Sequence, residues 1–372
     1  MADAVIGIVA NPLSGRDIRR LVARASVFPM AEKAAMILRM LAPFGTLGID
    51  RVLLNTDMGG ISAAVLRAVR AHRPDRDPPW PEVHFLEDDP ITQSADDTTL
   101  AVRRMTALGA RVIICLGGDG TARVAAGACG DVPLLPLSTG TNNVFPELRE
   151  ATVAGLAAGL IAIGALPSDS TTTRRPVLEV VAGSRREIAL VDVALCTSGH
   201  VGSRAVWDPA ALRELYCSFA EPDAIGLSSI PGLLCPSGRS EPDGVALALG
   251  PAAASPFVVH APIAPGLVAP VGVRSWKPLR SGETIEVGSR SGVLSVDGER
   301  EIELDGGPAP TVRLRADGPR CVDVHGALAL AAQEGLLSSS SRAYPQLPPQ
   351  PGGISRSPNP PPAQQQETGG PG

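Results

Sequence analysis

The 372-residue chain has room for two domains; 44% of it is hydrophobic but only 3% aromatic, so its cores must be built from Ala, Val, Leu and Ile. A net charge of −5 argues against a general nucleic-acid or anionic-membrane binder. Lysine occurs only at Lys33 and Lys277, neither in a Gly-rich loop, which excludes a phosphate loop of the form GxxxxGK[ST].

In chain order, AVIGIVAN (4–11) reads as a strand that ends in a turn, with a helix from about Asp17. RVLL (51–54) is a second strand and 61–71 a helix. EVHFL (82–86) is a third strand, with a helix over about 94–108. RVIICL (111–116) and VPLLPL (132–137) complete five strands. Strands alternating with helices predict a Rossmann-like, mostly parallel sheet with helices on both faces, and ligands at the carboxyl ends of its strands. After about residue 170, PVLEVVAG, EIALVDVALC, GVALALG, FVVHAPI, GETIEVG and GVLSVDGEREIEL predict a β-rich, sandwich-like or distorted-barrel domain. The expected organisation is therefore an α/β domain over 1–165, a β-rich domain over 166–320, and a closing strand and helix over 321–337 that return to the first domain. The Pro/Ser/Gly/Gln-rich stretch 338–372 offers too little apolar surface to offset the entropy of ordering and is expected to be disordered.

The six cysteines (115, 129, 196, 217, 235, 321) form no CxxC pair and sit among apolar neighbours, the pattern of buried thiols in a reducing compartment. The N-terminus lacks the basic start and apolar core of a signal peptide. The longest apolar run, 153–166, carries three glycines and is shorter than the ~20 residues a membrane span needs. A cytoplasmic protein without a membrane span is the expectation; homo-oligomerisation is left open.

Three polar loops follow strands of the α/β half. GGDGT (117–121) places glycines where the backbone can approach an anion, ahead of a helix whose N-terminal end is positive. Asp119 is unhelpful for holding phosphate alone. It makes sense as a carboxylate that takes a proton from an acceptor hydroxyl or holds a metal ion against phosphates. The plain alternative is a tight turn closed by an Asx bond. In NPLSG (11–15), Asn11, Ser14 and Gly15 are suited to phosphate or ribose oxygens, and STGTNN (138–143) adds hydroxyls and amides. Each alone reads as an ordinary loop; three at one sheet edge point to a converging site.

NPLSG, GGDGT and GTNN in this order, with a β-rich half behind them, resemble the NAD kinase/diacylglycerol kinase superfamily. The runs GIVANPLSGRDIRRLVARASVF, GGDGTARVAAG and PLLPLSTGTNNVFPELREATVAGLAAGLIA are most similar to its ATP-NAD kinase-like branch, which includes acetoin catabolism protein X. The resemblance spans roughly residues 4 to 337. It implies phosphoryl transfer from ATP, usually with Mg2+, in a cleft between the two halves. Asp119 would be the catalytic carboxylate. Gly117, Gly118, Gly120 and Thr121 would line the nucleotide phosphates, and Thr139, Gly140, Thr141, Asn142 and Asn143 would add to the same site. No residue is assigned as a dedicated metal ligand.

Two further segments carry acceptor-side candidates. VDGERE (296–301) contains a DG hairpin signal and also resembles a DGE of the lipid-kinase branch, which makes Asp297 and Glu299 second-tier candidates. ALVDV (189–193) is similar to the ALN[ED]V-like segment of NAD kinases, with Asp192 as the acid; Val191 stands where the Asn would be, which disfavours NAD as acceptor. His200 reads as a polar loop residue, and Arg123 equally as a phosphate contact or a solvated side chain. The Arg pairs 19–20, 103–104, 174–175 and 185–186 read as solvated faces, and Trp207, Tyr216 and Phe219 as core or domain-interface residues. The leading expectation is a kinase acting on NAD or a related small molecule. A lipid kinase and a non-catalytic nucleotide-binding regulator linked to acetoin catabolism are the alternatives.

Overall fold

The computed structural model describes residues 3–14, 24–87, 91–197 and 208–338, with the side chains of Arg300 and Glu301 outside the description. Gly15, His200, Trp207, the helix expected from Asp17, the Arg pair 19–20 and the stretch 339–372 therefore lie outside the described residues.

The first half is a seven-stranded sheet. Its parallel strands are β1 (Val5–Ala10), β2 (Arg51–Asn55), β3 (Glu82–Leu86), β4 (Val112–Gly117) and β5 (Leu134–Ser138), arranged β3-β2-β1-β4-β5. Side chains alternate along each strand, as the pleat requires. Ile6, Ile8, Val52, Leu54, Ile114 and Leu116 belong to one core, and Val5, Val9, Leu53, Ile113 and Cys115 to the other. Helices α1 (Met30–Leu47), α2 (Ile61–Ala71) and α5 (Ala151–Ala162) pack into the first core. Helices α3 (Ala95–Ala107) and α4 (Asp119–Ala128) pack into the second, so both faces of the sheet are covered.

The second half is antiparallel. One sheet runs β12-β13-β11-β10-β9-β15-β16, formed by Phe257–Ala264, Leu267–Leu279, Gly244–Gly250, Leu212–Cys217, Asp192–Cys196, Ser291–Val296 and Glu299–Asp305. A smaller sheet runs β14-β17-β7-β8, formed by Thr284–Glu286, Thr311–Arg315, Val177–Ala182 and Arg185–Ala189. Leu178, Val180, Val312 and Leu314 of the small sheet meet Val193, Leu195, Leu294 and Val296 of the large one in a shared apolar layer.

Two short strands stitch the halves together. β18 (Arg320–Val322) pairs parallel with β5 at Cys321 and Leu134, and antiparallel with β6 (Thr172–Arg174), so both extend the first sheet. Helix α6 (Val324–Gln333) then buries Val324, Ala327 and Ala331 in the first core.

The longest helix, α1, is held tightly against the loop ahead of β3. A Cβ added at Gly45 would stand 1.7 Å from the backbone oxygen of Pro79, a contact that no side-chain rotation relieves. Gly45→Ala is expected to cost about 3 kcal/mol, the upper end of overpacking penalties. Thermal unfolding of the variant checks this, and an unchanged Tm would show that the 79–80 backbone can move aside.

Candidate active site

The order β3-β2-β1-β4-β5 places the topological switch between β1 and β4, where successive connections turn away in opposite directions and leave a crevice. The NPLSG loop leaves β1 and the GGDGT turn leaves β4, so the two flank that crevice. Hydrogen bonds join them: Asn11 Nδ2 donates to Thr121 Oγ1 at 2.9 Å, and Asn11 Oδ1 accepts from Leu13 N at 2.8 Å to shape the turn. The Ser14 and Thr139 hydroxyls are 3.1 Å apart, which brings the loop after β5 to the same edge.

Lys33, fully buried on α1, braces this arrangement. Its Nζ donates to Asn11 O at 3.0 Å, Ser14 O at 3.2 Å and Ser14 Oγ at 2.7 Å. The sequence does carry a signal for it: Lys33 falls at helical spacing from the buried residues Met36, Ile37, Met40, Leu41 and Phe44, on the apolar stripe of the helix.

Asp119 is the first residue of α4, with Gly118 as its N-cap. A Cβ at Gly118 would lie 2.7 Å from Asn143 Oδ1, so it would push aside an amide that donates to Ser138 Oγ at 2.8 Å. The half-buried carboxylate of Asp119 does not stand in a solvated turn. Its Oδ1 accepts from Phe145 N at 2.7 Å and from Val144 N at 3.0 Å, and its Oδ2 from Val144 N at 3.1 Å. Ala122 N donates to Gly118 O at 3.0 Å, and the N–H groups ahead of it have no partner within the helix. They form the positive end of α4 at the floor of the crevice.

The crevice opens into a cleft of about 820 Å³ between the two halves. Asn11, Ser14, Gly118, Asp119, Gly120, Thr121, Thr139, Gly140, Asn142, Asn143, Asp297 and Glu299 all line it, so most of the expected site residues are brought together. Three are not. Gly117 is buried behind the turn, and Thr141 is exposed and pairs with Ser26, its Oγ1 accepting from Ser26 N at 2.9 Å. Asp192 is buried and borders a small crevice behind the cleft instead, with Val191, Leu227 and Ile263; Asp119, Asn142 and Asp297 line both spaces. The side chain of Val191 packs in an apolar cluster with Ala122, Phe145, Leu190 and Phe219 while also bordering that small crevice.

Positive charge also reaches the cleft. Arg103 and Arg186, read from the sequence as solvated faces, are exposed residues of its wall. Arg123 is neither solvated nor free: its Nε lies 3.6 Å from Asp297 Oδ2 and its Nη1 3.9 Å from Glu187 Oε2, with 11% of the side chain exposed. Paired arginines carry no sequence mark that separates a cleft wall from an outer face. Among the described residues no group of three or more His, Cys, Asp or Glu is arranged to hold a metal ion.

Asp297 and Gly298 form a two-residue hairpin between β15 and β16 with φ of 50° and 76°, the left-handed pair that a DG turn supplies. That turn directs the Asp297 carboxylate inward. Its Oδ1 accepts from Val191 N at 2.7 Å and Asp192 N at 3.3 Å, and its Oδ2 from Leu190 N at 3.1 Å. Burial pushes this carboxyl up to about 6, against the opposing pull of Arg123 and the Val191 and Leu190 N–H groups and with a further push from the Asp119 charge. The ordinary value is 3.8, so folding takes up a proton between the two values. The carboxyl therefore favours the folded state at low pH, and that contribution is lost as pH rises through about 6. From pH 4 to 7, Asp297→Asn is expected to gain stability relative to the unsubstituted protein by at most ~2–3 kcal/mol. Thermal unfolding of both proteins across that range measures the difference directly; a difference that stays flat would show that Asp297 is ionised throughout.

Residues 6–165 match the ATP-NAD kinase N-terminal domain, and residues 176–317 match the acetoin catabolism protein X C-terminal domain. Over 340 residues the chain is 42% identical to acetoin catabolism protein X of Cupriavidus necator, covering 90% of this chain and 94% of that one. Among solved structures, yeast NADH kinase complexed with NADH aligns with a TM-score of 0.50 at 16% identity, over 92% of this chain and 90% of that one, a likeness of fold alone. With both domain types matched in order and nearly the full length aligned, the chain belongs to the acetoin catabolism protein X family and is built on the NAD kinase fold.

Proposed function

We propose that this protein is an ATP-dependent phosphotransferase that moves the γ-phosphoryl group of ATP to a hydroxyl of NAD or a related small molecule, with Asp119 as the catalytic carboxylate. The observation that carries the reading is the place of Asp119: at the N-terminus of α4, at the switch point of a parallel sheet, on the wall of a polar cleft large enough for a nucleotide. The match of residues 6–165 to the ATP-NAD kinase N-terminal domain supports ATP as donor.

In this reading the N–H groups at the start of α4 receive phosphate oxygens, and Arg103 and Arg123 add positive charge along the cleft. Asp119, fixed by Val144 and Phe145, accepts the proton of the acceptor hydroxyl. The hydroxyl oxygen bonds to the γ-phosphorus, the bond from that phosphorus to the β–γ bridging oxygen breaks, and ADP leaves. The carboxylates of Asp119, Asp297 and Glu299 are hard oxygen donors, too few for a closed cage. Such donors suit Mg2+, and Asp119 and Glu299 would be the residues to hold an ion brought in with the nucleotide. When bound, such an ion offsets charge on the transferring group.

A second reading, a nucleotide-binding regulator without turnover, draws on the backbone bonds of Asp119, which also suit a purely structural carboxylate. Turnover separates the two. Asp119→Asn is expected to lower ATP-dependent phosphorylation by at least ~10², the lower end for loss of a general base. It is also expected to lower the Tm, because the neutral amide oxygen of Asn accepts from the Val144 and Phe145 N–H groups more weakly than a carboxylate does. Assays with ATP against NAD, NADH, sugars and diacylglycerol check this. Turnover retained in the variant overturns the assignment of Asp119, and tight ATP binding without turnover on any acceptor favours the regulator.

A further inference from the structure

The backbone that holds Asp119 is itself held from the other side. In a trans peptide the C=O and N–H of one planar unit point in opposite directions. The unit joining Val144 to Phe145 donates its N–H to Asp119 Oδ1 at 2.7 Å, and its carbonyl, Val144 O, accepts from Arg239 Nη2 at 3.3 Å. Phe145 O accepts from Arg239 Nη1, also at 3.3 Å. A carboxylate and a guanidinium thus sit at the two ends of one peptide dipole, each at the end of opposite sign.

Arg239 is placed firmly enough to act this way. It lies between β10 and β11 in the second half of the chain, with 18% of its side chain exposed. Its Nε donates to Glu221 Oε1 at 2.8 Å and its Nη2 to Glu221 Oε2, a bidentate pair. The guanidinium also stands 4.8 Å from the centroid of the Phe219 ring. Burial works against ionisation of Glu221, yet the Arg239 guanidinium bonded to it holds its carboxyl below the usual range, so the pair stays charged.

We propose that Arg239, oriented by Glu221, is a positioning residue for Asp119, fixing the site of its carboxylate through the Val144–Phe145 peptide. The inference rests on the reading of Asp119 as the reacting carboxylate. It follows that the second half of the chain supplies cleft wall and also sets the geometry of the catalytic group on the first.

The test compares Arg239→Met, Arg239→Lys and Glu221→Gln with Asp119→Asn in the full chain. Arg239→Met should lower kcat about 10- to 100-fold, the cost of a misplaced catalytic group, while the Kd for Mg-ATP and the KM for ATP stay within about twofold. Arg239→Lys should not rescue it, because an ammonium cannot give the fork that joins Glu221 to both carbonyls. Should Arg239→Met fail to fold, Glu221→Gln keeps the guanidinium and its carbonyl bonds and is expected to lower kcat by a smaller factor in the same direction. Amide exchange at Val144 and Phe145, which needs no turnover, should accelerate in each variant more than in the rest of the α/β half. A folded Arg239→Met protein with unchanged kcat overturns the inference, as does unchanged exchange at 144 and 145, or a fall of kcat and ATP affinity together in step with Tm. If Asp119→Asn abolishes turnover and Arg239→Met does not alter it, only the positioning role fails. If Asp119→Asn is fully active, the catalytic reading itself fails.

Discussion

The site depends on one set of hydrogen bonds, those from the backbone N–H groups of Val144 and Phe145 to the carboxylate of Asp119. They tie the turn after β4 to the loop after β5, and that loop is joined in turn to the loop after β1 through Ser14 and Thr139. Remove the carboxylate and two buried-edge donors lose their acceptor, at a cost of roughly 1–3 kcal/mol. The same group that closes the architecture thus faces the cleft where chemistry is proposed. Under the proposed chemistry, those structural bonds are what would make the position of the reacting carboxylate geometrically definite.

Around that centre, charge is compensated in layers. Lys33, buried beneath the NPLSG loop, has its own charge satisfied by Asn11 O, Ser14 O and Ser14 Oγ, and so ties α1 to that loop. Arg123 reaches from α4 toward Asp297 and Glu187 of the second half, and Arg239 reaches from the second half toward the 144–145 backbone. The two arginines thus bridge the halves in opposite directions. A cleft between two halves is commonly a hinge; here polar bridges and the return of β18 and α6 into the first core resist free opening.

The legible parts of the fold were those whose cause is local. Short apolar runs gave β1, β2, β3, β4 and β5, and the glycine-containing loops after β1, β4 and β5 marked carboxyl ends, because run and turn are decided within a few residues. The DG hairpin at 297–298 was legible for the same reason, though not that its turn aims Asp297 at the 190–192 backbone. Helix α1 was hidden by Pro29 at its start, Pro43 and Gly45 within it, and a face that is apolar over most of its length. Arg103 and Arg186 are exposed as the sequence suggests; that they also stand on the cleft wall was not legible, because an arginine pair looks the same there and on an outer face. Arg239 had no local mark at all: its carbonyl partners lie 94 and 95 residues away, and only the packed fold brings them together.

The proposed chemistry stands or falls on a phosphorus–oxygen bond formed on the acceptor. A ³¹P NMR time course of the full chain with Mg-ATP and NAD, extended to NADH, sugars and diacylglycerol, observes that bond directly. Phosphoryl transfer predicts loss of the ATP γ resonance in step with growth of a new phosphomonoester resonance that appears only with acceptor. Loss of the γ resonance to inorganic phosphate alone, or an unchanged spectrum with ATP bound, would contradict it.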